Sequence, residues 1–248
     1  MPVQVFEPGG YRFIEGVFQY SAGVAALPGY RIVRVQFRTP MRLAEGFQRA
    51  EEIIRASTRP LTALCACELR SPAPFTESGF TEFNKIYVGT LERWKIYDGK
   101  TNPVARSNVC PAIDPPVGPS LHAFSYTEAA EGAEPSFVIA GSGEAPEGRG
   151  SYRDYIVRLG DLTPSGLREK ARFVLGEMEG RMAALGFAWP NVTSTQVYTV
   201  HDIHPFLSDE IVRRGAARAG LTWHYCRPPV VDLEYEMDCR SICIEYAL

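Results

Sequence analysis

The chain has 248 residues and carries 26 Lys and Arg against 29 Asp and Glu, a net charge of −3. With 45% hydrophobic and 22% charged residues its composition is that of a folded globular protein, which excludes collagen-like, low-complexity and wholly disordered chains. The slight acidity argues against a nucleic-acid partner held by bulk charge. No apolar run approaches the roughly 18 residues of a membrane span. Met1-Pro2-Val3-Gln4 has no basic stretch leading into an apolar one, so a secretory signal is not expected and a cytoplasmic location is. The six cysteines contain no Cys-x-x-Cys pair and read as free thiols in a reducing compartment.

In chain order, Phe18 to Ala25 and the alternating Ile32 to Phe37 read as strands. Leu43 to Ala56 places Leu43, Phe47, Ala50, Ile53 and Ile54 at helical spacing. Leu61 to Leu69 is a strand, and Thr81 to Arg93 a helix with Phe80, Phe83, Ile86 and Tyr87 on one face. Strands near Ser107 to Ile113 and Leu121 to Tyr126 close this half around a Pro-rich loop. After the small, acidic Glu128 to Pro135 come strands at Phe137 to Ala140 and Tyr155 to Leu159. A helix follows Thr163-Pro164-Ser165, with Pro where a first helical turn tolerates it. Then come a strand at Val192 to Val200, a helix at Ser208 to Ala219, and closing strands at Val230 to Tyr235 and Ser241 to Tyr246.

The order of elements repeats, and matching points lie at similar offsets. Gly23 and Gly143 are 120 residues apart, Leu43 and Leu167 124, Arg106 and Arg227 121. This predicts a tandem duplication, with domains over 1–125 and 126–248, each an α+β unit with a mixed sheet and two helices on one face.

Particular residues resemble a known family. Tyr126-Thr127-Glu128-Ala129, then Phe137 to Ala140 leading into Gly141-Ser142-Gly143-Glu144-Ala145-Pro146, resembles the opening of the Rid (YjgF-type) family, with its Tyr-Ser-Gln-Ala and Ser-Gly-Gln-x-Pro motifs. Phe83 to Tyr87 and Pro103-Val104-Ala105-Arg106-Ser107-Asn108-Val109 resemble that family's Phe-x-x-Asn-x-x-Tyr helix and Pro-x-Ala-Arg-Ser-x-Val strand. Val231 to Glu245, ending Ile242-Cys243-Ile244-Glu245, resembles its closing Val-Glu-Ile-Glu strand. The resemblance spans nearly the whole chain as two copies, the second better matched, and implies two tandem Rid/chorismate-mutase-like domains. A double architecture also resembles the chorismatases, whose last strand Cys239-Arg240-Ser241-Ile242-Cys243-Ile244-Glu245 partly matches.

The resemblance implies a cofactor-independent hydrolase or deaminase acting on a small imine, enamine or related carboxylate in a cleft between domains. It implies a homo-oligomer too, of the trimeric kind, with no nucleic-acid or membrane partner. A guanidinium matches a carboxylate with two parallel hydrogen bonds, and a nearby carboxyl can deliver or take a proton. Arg106 matches the family's arginine and Arg227 lies in the corresponding region of the second copy, one residue out of register. Ser142 and Tyr126 match the family's loop serine and early tyrosine, and join the arginines as candidate substrate contacts. On the closing strand Glu245 is the candidate acid. Cys243, two residues before it and so on the same sheet face, is the alternative. The first copy has Leu121-His122-Ala123-Phe124 in that place and no acid. His201 and His204, three residues apart with no third ligand in view, do not make a metal site. Two other readings stay open: a chorismatase-like enol-ether hydrolase releasing pyruvate, and a binding module for a small carboxylate without chemistry.

Overall fold

A computed structural model describes residues 1–248. The first half contains β1 (Val3–Phe6), β2 (Tyr11–Ile14), β3 (Gly23–Ala26), β4 (Tyr30–Arg42), α1 (Leu43–Ala56), β5 (Leu64–Arg70), α2 (Glu77–Arg93), β6 (Ala105–Pro111) and β7 (Ser120–Ala129). The second contains β8 (Phe137–Gly143), α3 (Pro164–Ala184), β9 (Ser194–Tyr198), α4 (His204–Phe206) running into a π-helical turn (Leu207–Val212), β10 (Thr222–His224), β11 (Cys226–Arg227), β12 (Glu236–Ser241) and β13 (Ile244–Ala247). No helix is long and apolar enough to cross a membrane.

The duplication is visible in strand order. One sheet contains the run β6-β5-β7-β4 and the other β10-β9-β12-β8, so four strands of each half follow the same order. The helices begin where their caps dictate. Thr76 accepts from Gly79 N at the start of α2, and Thr163 accepts from Gly166 N at the start of α3, just ahead of Pro164. Phe47, Ala50 and Ile54 of α1 and Phe80, Phe83, Tyr87 and Leu91 of α2 bury against Leu64, Cys67, Leu69, Leu121 and Phe124 of one sheet. Leu167, Ala171, Val174, Met178 and Met182 of α3 bury against Ile139, Val197, Met237 and Cys239 of the other. The helix-covered faces thus point outward and the remaining faces meet. Between them lie a smaller apolar cluster around Tyr11, Phe13, Ile32, Ala66 and Ala140 and a set of paired polar side chains.

The division into 1–125 and 126–248 does not describe these sheets. β7 runs through residue 125 to Ala129. β1, β2 and β3 extend the second sheet, where β3 pairs with β8, and β13 returns to pair in parallel with β4 at the edge of the first. The terminal segments therefore cross between the halves.

Three expected elements fall elsewhere. Tyr155 to Leu159 is a turn, because Arg158 and Gly160 take left-handed φ of 52° and 72° that a strand cannot hold. The helix over Ser208 to Ala219 stops after one π-helical turn, with Gly215 at φ 93° and Gly220 at φ 100°. The closing strand is β12, in the stretch expected to connect two strands, while Val230 to Tyr235 is irregular. Glu236-Met237-Asp238-Cys239-Arg240 alternates charged and apolar side chains, a strand pattern whose charged face is buried here against the other sheet.

Candidate functional site

β6 carries Arg106 to the junction of the halves, where a bridge between Ser21 and Ala105 joins the strands. The guanidinium is 3% exposed and its Nη1 donates to Asn84 Oδ1 of α2 at 2.7 Å. It lies 4.9 Å from the ring centre of Tyr87 and 5.0 Å from that of Tyr20, with Phe80 and Phe83 at 5.5 and 5.9 Å. Aromatic faces favour a cation by the ring quadrupole and fix the fork in one plane. No carboxylate of the protein pairs with it. A buried cation without a counter-ion is costly, and such a guanidinium suits an anion from outside.

Across a narrow recess of about 30 Å³ lies Glu236, the first residue of β12. It is 4% exposed and its carboxyl makes no hydrogen bond within the protein. Burial pushes its carboxyl well above the ordinary carboxylate range, with Asp238 and Glu147 adding to the rise and Arg106 opposing it. The side chain is seated over Gly141 of β8, where a Cβ would overlap Glu236 Oε1. Gly141→Ala is expected to displace the carboxyl and lower kcat by about a hundredfold, with KM changed far less. Steady-state kinetics on a variant with an unchanged melting temperature checks this.

A strap over residues 144–157 covers the recess. Glu147 accepts from Tyr20 Oη at 2.7 Å and from Arg181 Nη2 of α3 at 3.0 Å. Ser151 Oγ donates to Glu77 Oε1 at 2.7 Å, and Arg153 pairs with Asp232. Between these ties Tyr152 faces the recess, its hydroxyl pushed up to about 12 by burial, then by Glu147. The base of the strap is held by Glu144, which pairs with Lys170 at 3.2 Å, both side chains fully buried. Glu144 also accepts from the backbone N–H of Glu234 at 2.7 Å and of Tyr235 at 3.0 Å, the residues leading into Glu236.

Of the residues singled out from sequence, only Arg106 lines this recess. Ser142 lies on the opposite face of β8 and accepts from Arg181 Nη2 at 3.3 Å beneath α3. Tyr126 is packed in the core under α1 and α2, stacked on Phe124. Arg227 is on β11, which crosses to pair with β6, and it binds Glu234 at 2.8 Å beside His201, itself 2.7 Å from the same carboxylate. His204 engages Asp202 instead, so the two histidines do not converge. Glu245 sits on β13, bonded to Arg34 and Arg240 at 2.9 Å each. It ties the C-terminal strand to β4 and β12, and Cys243 is exposed at the turn before it. Arg34 also grips Glu68 at 2.5 Å; burial opposes its ionisation, and the guanidinium holds it well below the usual carboxylate range.

The second half does not repeat the recess. Trp223 stands one residue into β10 where Arg106 stands one residue into β6, and each pairs with the strand before it, Val197 and Cys67. By the same register Ala123 of β7, opposite Glu68, takes the place of Glu236, opposite Tyr198. One half supplies the cation and the other the acid.

A family model described as 2-aminomuconate deaminase CnbZ matches residues 3–246. The chain belongs to the CnbZ family. A CnbZ-like relative, the 2-amino-5-chloromuconate deaminase of Comamonas testosteroni, is 53% identical over 246 residues, 98% of each chain. Among solved structures, a chorismatase aligns with a TM-score of 0.51 at 12% identity over 89% of this chain and 77% of its own, a likeness of fold. The YjgF protein of E. coli aligns at 15% identity and a TM-score of 0.32, over 53% of this chain and 91% of its own. In this CnbZ chain the carboxyl facing Arg106 belongs to Glu236 of β12, nine residues before Glu245. The alternation of charged and apolar residues over Glu236 to Arg240 was the available signal for the strand that carries it. Glu147 and Tyr152 had none, since both lie in a strap placed only by tertiary contacts.

Proposed function

We propose that this chain is a cofactor-independent deaminase of a small enamine carboxylate of the 2-aminomuconate type. One observation carries the reading: an unpaired, buried guanidinium and a buried, proton-holding carboxyl face one another across a single recess. The 53% identical deaminase supports it.

Arg106, fixed by Asn84 and the aromatic rings, holds the carboxylate next to the amine-bearing carbon. Glu236, whose burial favours the protonated form, gives its proton to the enamine carbon, and the C=C–N unit becomes a C–C=N imine. As a carboxylate it then takes a proton from water while the water oxygen bonds to the imine carbon. The carbinolamine collapses, the C–N bond breaks, ammonia leaves with a proton, and a 2-oxo acid remains. Water is the only co-reactant. Glu147, held by Tyr20 and Arg181, sets a negative charge beside Glu236 that keeps its proton on. Every one of these residues comes from one chain. A trimer, which the Rid resemblance implies, would add copies of the recess without completing it.

The test is ammonium release from 2-aminomuconate. Arg106→Lys keeps the charge but loses the planar fork, and is expected to raise KM about 10- to 150-fold, the range for a hydrogen bond to a charged group. No ammonium release by the wild-type chain would overturn the reading.

A further inference from the structure

Resting on that reading, the geometry points to the strap over residues 144–157 as a lid that swings away to admit a small enamine carboxylate and shuts over it. The recess has about 30 Å³ of room, enough for roughly two water molecules. The reacting core of such a substrate, with its carboxylate, amine-bearing carbon, nitrogen and proton-accepting carbon, is larger than that. Arg106 and Glu236 are both buried, so little of either is open to a solute. A wall must move before the pair can hold a substrate, and closure over it then keeps bulk water out.

The other walls are fixed by backbone. Arg106 and Glu236 stand on paired strands, and Phe80 on α2. The segment with Pro229 and Val230 is held where Phe75 N donates to Pro229 O at 2.8 Å and Val231 N to Phe75 O at 2.9 Å. The strap is held differently. Its neck is closed by Val157 N donating to Glu144 O at 2.9 Å, with Lys170 Nζ bonded to both residues. Beyond the neck, residues 145–151 make no backbone–backbone hydrogen bond outside the strap. Side chains alone tie it down: Glu147 to Tyr20 and Arg181, Ser151 to Glu77, and Arg153 to Asp232. Such ties open at lower cost than a sheet ladder. Gly148 and Gly150 bend the tip with left-handed φ of 71° and 43°. Ala145 and Glu147 line the recess, while Pro146 and Gly148 line a groove of about 280 Å³ on the outer side, and Tyr152 lines both. Tyr152 is therefore the partition, and carrying it outward with the strap makes recess and groove one space.

A reversible staple tests the lid. A Cβ at Gly148 would lie 3.7 Å from Val17 Cγ1, so Val17→Cys with Gly148→Cys can bridge the tip of the strap to the β2–β3 connection. Cys243→Ser removes the exposed native thiol, the others being buried. The probe is cis,cis-muconate, a diene dicarboxylate without the amine and so unreactive. With the pair oxidised, muconate association in stopped flow and ammonium release from 2-aminomuconate are each expected to fall about a hundredfold or more, and dithiothreitol is expected to restore both. In a second variant, Ser151→Ala with Arg153→Gln cuts the outer ties without touching the recess. It is expected to speed muconate association about threefold or more at an unchanged melting temperature. Association equally fast in the oxidised and reduced forms, or unchanged in the loosened variant, overturns the lid and leaves the deaminase reading intact. A reduced form that binds muconate at the wild-type rate but, like the wild type, releases no ammonium overturns the deaminase reading and leaves the lid. Neither binding nor release by the wild-type chain overturns both.

Discussion

Glu236→Gln is expected to lower kcat about 10²- to 10⁴-fold while muconate still binds within a few-fold of the wild-type affinity. The magnitude is that of a general acid–base group lost from a positioned site. The amide has the shape of the carboxyl and fits over Gly141, so packing is preserved, but it cannot deliver a proton to carbon or take one from water. Burial raises the Glu236 pKa, so the protonated form persists above the ordinary carboxylate range and turnover is expected to fall as pH rises through that raised value. The same shift reaches stability. A carboxyl whose folded pKa exceeds its unfolded value contributes stability that is complete below the unfolded pKa and lost as pH rises through the folded one. The Gln variant lacks that loss. Its melting temperature is expected to decline less than the wild type's between pH 5 and about 8, the range where carboxyl linkage acts. Loss of binding together with turnover would show Glu236 to be a ligand contact and not the proton donor.

Lys170→Met is expected to destabilise the protein by about 3–5 kcal/mol, because it strands Glu144 as a buried carboxylate with no cation. For a chain of this size that lowers the melting temperature on the order of 10 °C. Glu144 would then take up a proton. Its folded pKa, already raised by burial despite Lys170, would rise further, so the deficit is largest at high pH and shrinks as pH falls toward the carboxylate range. The double variant Lys170→Met, Glu144→Gln removes the stranded charge and is expected to recover most of the loss. Calorimetry across pH reads all three. A deficit in Lys170→Met that is independent of pH would mean the pair acts through packing alone. Because Glu144 also receives the backbone N–H groups of Glu234 and Tyr235, the pair anchors the approach to Glu236 as well as the fold.

Much of the architecture was legible where local rules govern. α1 runs over the residues its apolar spacing marks, Leu43 to Ala56, and α3 begins at Thr163-Pro164 as the cap requires. Arg106 was legible because the Pro-x-Ala-Arg-Ser stretch fixes it on a strand. The acid was not, because the charged alternation of Glu236 to Arg240 looks like a solvated connector until the second sheet buries it. Glu245, the acid expected on the closing strand, ties β13 to its neighbours. Ser142 failed for a reason of parity: on a strand, one residue separates the face that looks at the recess, Gly141 and Gly143, from the face under α3. Arg227 failed because β11 leaves its own half, and the crossing of strands between halves has no local signature.

That crossing has a consequence for descent. A duplication ordinarily yields two units that can drift, be shed or be exchanged. Here β1 to β3 edge the sheet of the later half and β13 edges that of the earlier one, as if the chain were stitched from both ends. Removing either half would strip strands from the sheet that survives, and half of the recess with them. With the cation on one half and the buried carboxyl on the other, neither half keeps its sheet or its share of the recess when the other is lost.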